Sequence, residues 1–324
     1  MWATLAVGAA NVPLLRVTGE TVLERVRRMG VTVLCAAPTV LGMIVRAARA
    51  APGGAPRGVR VATAGGAPTA AVIQAVEEEV GWPVTHLYGL TETTAFATYC
   101  EPPADLEHMP AAERARFKAR QGVPLLLAGR VRVVRSDGRP VAADGREMGE
   151  VVVRGNVVMA GYHGDPVATA EAMGGGWLRT GDLAVRHPDG YIEVRDRLKD
   201  VIKSGGEQIP SIEVEGVLAA HPEVAEVAVV AAPHPHWGET PVAFVVPHAG
   251  RRPTAEALTE HCRARLTHFK VPTRFVFVPE LPRTASGKVR KAELRRLVEG
   301  DPASGGQGGM AVAPPATGQG AGEP

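Results

Sequence analysis

Between residues 20 and 87 the sequence alternates helical stretches with short apolar runs, and that alternation leaves few folds open. Residues 20–29 set apolar side chains at helical spacing, while 31–36 read as a buried strand. Pro38 then opens a helix running to about Ala48, since proline is tolerated in a first helical turn. Residues 59–64 read as a strand, 68–80 as a helix and 84–87 as a strand again. Strands and helices repeating at this pitch predict an α/β fold, a parallel sheet with helices on its faces.

From about residue 123 to 194 the texture changes. Residues 130–134, 149–154 and 191–194 are short and β-rich, with Asp137-Gly138, Asp144-Gly145 and Asp189-Gly190 turns between such segments. This predicts a small antiparallel β unit. Beyond Lys199 helix and strand alternate again: helix 211–220, strands 224–231 and 242–246, helix 254–266, strand 274–278 and helix 289–298. That is a compact α+β domain of about one hundred residues. After Gly300 the chain is Gly, Pro, Ala and Gln without a period, which predicts a disordered tail. The expected divisions are 1–196, 197–298 and 299–324.

Composition narrows the partners. A formal net charge of +2 over 324 residues makes no case for nucleic acid, and 4% aromatic residues are too few for a base-stacking platform. Cys35, Cys100 and Cys262 stand far apart without zinc spacing and read as reduced thiols of a cytoplasmic protein. Residues 2–15 are apolar, but they lack a basic leader and are broken by Asn11 and Pro13. Too short to span a bilayer, they are expected in the core, and no transmembrane segment is predicted.

Residues 195–209 carry Arg195, Arg197, Lys199 and Lys203 around a short apolar run, then set Gly205 and Gly206 beside Ser204 and Glu207. So many charges argue against a buried strand, and paired glycines against a surface helix. A loop that brings cations and bare backbone to an anion such as a phosphate ester suits both. Tyr88-Gly89-Leu90-Thr91-Glu92-Thr93 follows a predicted strand, where parallel sheets bind ligands. Glu92 there offers a hard oxygen suited to magnesium, or equally a helpful acid at a helix start. Gly65-Gly66-Ala67-Pro68 admits a flat ligand or simply turns the chain. Asp182, after Gly181, is placed to hold two ribose hydroxyls or to shape a turn. Ser286-Gly287-Lys288 is not a nucleotide phosphate loop, because Pro282 and Val289 stand where that loop needs Gly and Ser or Thr. It reads as a loop delivering Lys288 to a phosphate, or as a solvated basic loop.

Taken in order, Tyr-Gly-x-Thr-Glu, Thr-Gly-Asp, Asp-Arg-x-Lys-Asp with Ser-Gly-Gly-Glu, and Ser-Gly-Lys resemble the adenylate-forming (AMP-binding) superfamily. Residues 30–41, 149–156 and 268–272 support the likeness, which runs to about Arg296 and is strongest to bacterial fatty-acyl-CoA synthetases. The resemblance implies the C-terminal part of a large adenylate-forming domain followed by a small mobile α+β domain. It implies an acid–thiol ligase that joins a carboxylic acid, of the fatty class, to coenzyme A through an acyl-adenylate, with ATP and Mg2+. By the same resemblance Gly65, Gly66, Ala67, Pro68, Tyr88 and Gly89 flank the nucleotide, Thr91 touches a phosphate and Glu92 holds magnesium. Asp182 and Arg197 grip ribose, Lys288 bridges the substrate carboxylate and the α-phosphate, and Lys203 and Gln208 line the active site. Lys199 is the hinge, while Ser204, Gly205, Gly206 and Trp237 admit CoA. A core position is an equal reading of Trp237.

The family's Ser/Thr/Gly-rich phosphate loop has no match in residues 1–87. The chain is therefore expected to be N-terminally truncated, with an unpaired apolar sheet edge and impaired adenylation. Two other readings stay open. One is a degenerate or split-gene fragment that binds nucleotide, CoA or a partner chain; the other is an adenylation domain loading a carrier protein. A homodimer and a complementary N-terminal chain are both compatible partners. Ala36, Ala37 and Gly42 suit a roomy acyl tunnel and tight helix packing alike, so the acyl chain stays open.

Overall fold

A computed structural model describes residues 2–104, 108–284 and 288–299. The chain divides between Arg195 and Asp196 into two compact units. The tail expected to be disordered lies outside the described residues, as do Ser286 and Gly287.

In the first unit helix α1 (Trp2–Ala6) precedes α2 (Gly19–Met29). Thr18 sets the start of α2: its hydroxyl accepts the Thr21 amide at 3.2 Å, and the Thr21 hydroxyl accepts the Thr18 amide at 3.0 Å. Then β1 (Val33–Ala36), α3 (Pro38–Ala50), β2 (Arg60–Thr63), α4 (Ala70–Ala75, continued by a wider turn to Val80) and β3 (Val84–Tyr88) alternate as predicted. Strands β1, β2 and β3 run parallel, with Val33 opposite Arg60 and Val61 opposite Val84. Beyond them β4 (Thr98–Cys100) is antiparallel to β3; after α5 (Ala111–Lys118), β5 (Val123–Pro124) pairs with β4. The sheet is thus mixed, and Leu23, Ile44, Ile73 and Trp82 are fully buried in the core beside it.

Two expectations fail here. Residues 4–15 do not form core: Leu5, Val7 and Leu15 are 56%, 79% and 102% exposed, and among the described side chains of this segment only Leu14 packs against the apolar core. Nor is β1 buried. Val33 is 51% exposed because β1 stands at the sheet's edge and, among the described residues, pairs with β2 alone. The apolar edge expected of this sheet is present.

The second sheet is antiparallel, in the order β10–β9–β7–β6. It comprises β6 (Arg130–Val134), β7 (Met148–Arg154), β9 (Trp177–Arg186) and β10 (Ile192–Arg197); α6 (Pro166–Ala172) leads into the short β8 (Met173–Gly174), which pairs with β9. Inward residues Val133, Val151, Val153 and Ala184 form its core.

The second unit has one sheet, β12–β11–β14–β13, with β15 (Arg274–Phe277) parallel to β14. Its strands are β11 (Ile202–Ser204), β12 (Glu207–Ile209), β13 (Val224–His234) and β14 (Gly238–Pro247). β13 and β14 outrun their predicted lengths because they are two arms of one hairpin, paired from Val224–Pro247 to His234–Gly238. Alternation along them serves two cores. Val229, Ala243 and Val245 pack with α7 (Ser211–Ala219) and α8 (Ala255–Arg263), while Val230, Val242 and Phe244 pack with α9 (Lys291–Glu299).

The basic stretch 195–209 is not a loop. It is the end of β10, a turn, and the β11–β12 hairpin. Ile202 and Ile209 alternate inward while Lys203 and Gln208 point out, so these cationic and amide side chains stay out of the core; Asp196, at the end of β10, is the charge of this stretch that is buried.

Candidate active site

Adjacent parallel strands β2 and β3 end side by side, with Thr63 opposite His86. The turns that leave them, Gly65-Gly66-Ala67-Pro68 and Tyr88-Gly89, therefore emerge at one sheet end, the usual ligand crevice of such sheets. Gly65, Gly66 and Ala67 are exposed there and Pro68 is buried. Among the described residues the Thr63 hydroxyl is fully buried without a hydrogen-bond partner. After β3 the chain doubles back on itself. A Cβ on Gly89 would lie 2.1 Å from the Ala95 carbonyl oxygen, so no larger residue fits. Thr94 and Ala95 adopt left-handed φ of 49° and 77°, a local strain of the kind that concentrates at functional sites. Thr94 is held by its hydroxyl, which donates to the Val157 carbonyl at 2.7 Å.

This turn presents Thr91, which is exposed, and Glu92. The Tyr162 hydroxyl donates to Glu92 Oε1 at 2.9 Å, and the Met159 amide donates to the Glu92 carbonyl at 2.8 Å. The bond to Glu92 raises the Tyr162 phenol above its ordinary value. Tyr88 donates its hydroxyl to Asp182 Oδ2 at 2.7 Å, joining two motifs that are 94 residues apart. Asp182 is buried, and its position corrects the turn expected of Thr-Gly-Asp. These residues lie within β9, where the pairing with β7 slips between Glu150 and Val152 and Gly181 takes φ 70°. A bulge of this kind re-aims one side chain. The Gly181 amide donates to Glu150 Oε1 at 3.1 Å, and the Asp182 amide to the Thr180 hydroxyl at 3.1 Å.

The other candidates belong to the second unit. Lys203 and Gln208 face each other across the β11–β12 hairpin, both exposed. Gly205 and Gly206 close it with φ 58° and 89°, a turn open to glycine because both residues are left-handed. The Gly205 amide donates to the Trp237 carbonyl at 2.8 Å, and a Cβ there would lie 2.8 Å from the Trp237 indole. Ser204, Gly205 and Trp237 line a cavity of about 710 Å3; Gly206 does not. Trp237 is 50% exposed, so the core reading of it fails. Lys288 is exposed; the Thr284 amide donates to the Lys288 carbonyl at 2.8 Å, and the Lys288 amide to the Thr284 hydroxyl at 3.1 Å.

Helix α9, which follows Lys288, reaches the segment holding Arg197 and Lys199. Arg295 donates to Asp200 Oδ1 at 2.7 Å and to the Lys199 carbonyl at 3.4 Å. Lys291 lies 2.6 Å from Glu215 Oε1 and donates to the Ser211 hydroxyl at 2.6 Å. The Ser211 amide in turn donates to Asp196. Burial pushes the Asp196 and Glu215 carboxyls up, and the Lys291 charge opposes that rise at both. Sequence reasoning passed over Tyr162, Lys291 and Glu215. Only their partners, distant in sequence, distinguish them.

Among the described residues no cluster of three or more His, Cys, Asp or Glu is suited to hold a metal. Glu92 nevertheless fits magnesium, which is commonly held by one or two carboxylates with substrate phosphates and waters.

Residues 1–163 match the family model for AMP-binding enzyme, and residues 213–288 that for the AMP-binding enzyme C-terminal domain. A 2-methylpropanoate–CoA ligase of Humulus lupulus is 45% identical over 305 residues, covering 92% of this chain and 54% of the relative. A peroxisomal benzoate–CoA ligase of Arabidopsis thaliana is 40% identical, covering 92% of this chain and 53% of the relative. Among solved structures, o-succinylbenzoate CoA synthetase from Bacillus subtilis, bound to its acyl-adenylate intermediate, superposes with a TM-score of 0.78 at 31% identity. It covers 91% of this chain, which covers 57% of that one. The amide bond synthetase from Marinactinospora thermotolerans gives 0.81 at 33% identity over the same shares. The chain spans about half the length of the curated relatives it matches.

Proposed function

Because the chain belongs to the AMP-binding enzyme family, we propose that it serves an AMP-forming acid–thiol ligation, activating a carboxylic acid of the fatty class and passing it to coenzyme A. The observation that carries this reading is the Tyr88–Asp182 hydrogen bond at the carboxyl end of β3, beside the Glu92 turn. In the first half-reaction a substrate carboxylate oxygen attacks the α-phosphorus of ATP, the acyl–O–P bond forms, and pyrophosphate leaves. Gly65, Gly66, Ala67, Pro68 and Gly89 leave room for the adenine, and Asp182, with Arg197, binds ribose hydroxyls. Thr91 meets a phosphate. Glu92 would hold Mg2+, which supplies charge neutralisation on the phosphates when bound. Lys288 bridges the carboxylate and the α-phosphate, so its ammonium stabilises charge that grows toward the transition state. In the second half-reaction the CoA thiolate attacks the acyl carbon and AMP departs. Ser204, Gly205, Gly206 and Trp237 face the thiol arm, Lys203 and Gln208 face the reaction, and Lys199 is the hinge between the two half-reactions.

The division of labour proposed is residues 1–196 for the nucleotide and 197–298 for Lys288 and the thiol. No helix among the described residues is long and apolar enough to cross a membrane, and the free thiols suit a reducing compartment such as the cytoplasm. A second reading is that this chain works together with a complementary chain, in keeping with its spanning about half the length of the relatives it matches. ATP–pyrophosphate exchange by the 324-residue chain across a panel of fatty acids tests the first reading. Acid-dependent exchange is expected, and Lys288→Ala should lower it by about 10²- to 10³-fold. Failure of every acid to give exchange, with exchange restored only by adding a complementary chain, favours the second.

A further inference from the structure

The turn that carries Glu92 is clamped to the segment preceding α6. The Thr94 hydroxyl donates to the Val157 carbonyl, the Met159 amide to the Glu92 carbonyl, and the Tyr162 hydroxyl to Glu92 Oε1. The first two hold the course of the turn, and the third reaches the carboxylate itself. Oε2 of this half-buried acid has no hydrogen-bond or ion-pair partner among the described residues. A carboxylate accepts on both oxygens, so a phenol on one leaves the other to a cation.

Tyr162 is in turn anchored to α6. Its amide donates to the Thr169 hydroxyl at 2.9 Å, and that hydroxyl donates to the Asp165 carbonyl at 2.7 Å. Asp165 caps the helix, accepting the Ala168 amide on Oδ1 at 2.9 Å, and its own amide donates to the Tyr162 carbonyl at 3.3 Å. A Cβ at Gly161 would lie 2.8 Å from Thr169 Cγ2, so glycine lets the chain lie this close to α6. Yet Tyr162 is 40% exposed, where water serves a phenol and a carboxylate nearly as well, so their bond adds little to stability. What it does supply is a fixed direction for the carboxylate.

We infer that Tyr162 is a positioning residue for the metal: it pins one oxygen of Glu92 so that the other is presented, already oriented, to the cation that accompanies the nucleotide phosphates. Hydrogen bonds to a ligating carboxylate set metal affinity by about 10- to 100-fold. This role rests on the reading of Glu92 as the metal-holding acid; the anchoring of Tyr162 does not.

Water-proton relaxation enhancement by Mn2+, measured on the full chain with ATP, separates cation held on the chain from Mn2+–ATP free in solution. Tyr162→Phe keeps the ring, removes the hydroxyl, and should weaken Mn2+ binding by about tenfold or more. Calorimetry of AMP binding in EDTA should give one affinity for variant and wild type, a split that general loosening of the site would not produce. Glu92→Gln should weaken Mn2+ binding at least as much, and adding Tyr162→Phe to it should cost nothing further, because the tyrosine acts through that carboxylate. Unchanged or tighter Mn2+ binding in Tyr162→Phe, an equal loss of AMP, or no enhancement in the wild-type chain would overturn the proposal. Loss in Glu92→Gln without loss in Tyr162→Phe removes this role alone, whereas Mn2+ binding intact in Glu92→Gln removes the reading of Glu92 and this role with it.

Discussion

Lys291 holds its ammonium against Glu215 and Ser211, two residues of α7, while Asp196 feels the same charge. Glu215 and Lys291 keep only 20% and 15% of their side-chain surface. Lys291→Met would leave both acids without their cation, at a cost of about 2–3 kcal/mol, near the low end for a broken buried pair because some screening remains. Denaturant unfolding checks this: the midpoint should fall, and adding Glu215→Leu should recover part of the loss. A midpoint unmoved by Lys291→Met would mean the pair is solvated. Nothing in the sequence singled this lysine out, since it stands in a run of basic residues after Lys288. Tyr88 and Glu92 stood out in the sequence because a strand and Gly89 mark their turn; Gly181 marked Asp182 too, but as a turn, where the structure has a bulge inside β9. Tyr162 did not stand out, because its value lies in a bond to a residue 70 positions away.

Secondary elements decide how the three thiols behave. Cys35 sits on the edge strand β1 and is exposed, while Cys100 on β4 and Cys262 on α8 are buried. Burial pushes the Cys100 thiol up to about 12 and the Cys262 thiol up to about 11, from an ordinary value of 9. A disulfide-exchange reagent near pH 8 should therefore modify one thiol per native chain and three after denaturation; two fast thiols in the native chain would contradict this burial. These folded values are raised, so the stability the two thiols contribute is fully present below pH 9 and lost as pH climbs toward 11 and 12. Element type was readable at this scale, because periods of 3.6 and 2 are properties of the chain alone. Placement was not. Apolar residues 2–15 do not say what they pack on, and the bulge at Gly181 exists only in pairing with β7.

At the scale of the whole molecule, each unit is built round its own apolar cores, and those cores share no residue. Unfolding should then proceed in two steps. Trp2, Trp82 and Trp177 belong to the first unit and Trp237 to the second, so tryptophan fluorescence is weighted toward the first, whereas far-ultraviolet circular dichroism weighs both. Non-coincident denaturation curves by the two probes are expected, and superimposable ones would indicate a single cooperative block. Within the second unit, α9 grips the Lys199 carbonyl and Asp200 through Arg295 and α7 through Lys291, three residues beyond Lys288. One helix thus cross-braces the backbone at residue 199 and the start of α7 from two points one turn apart. Arg295→Ala should therefore loosen the 198–201 turn and raise its amide hydrogen exchange while leaving α7 protected, and unchanged exchange there would show that the brace carries no load.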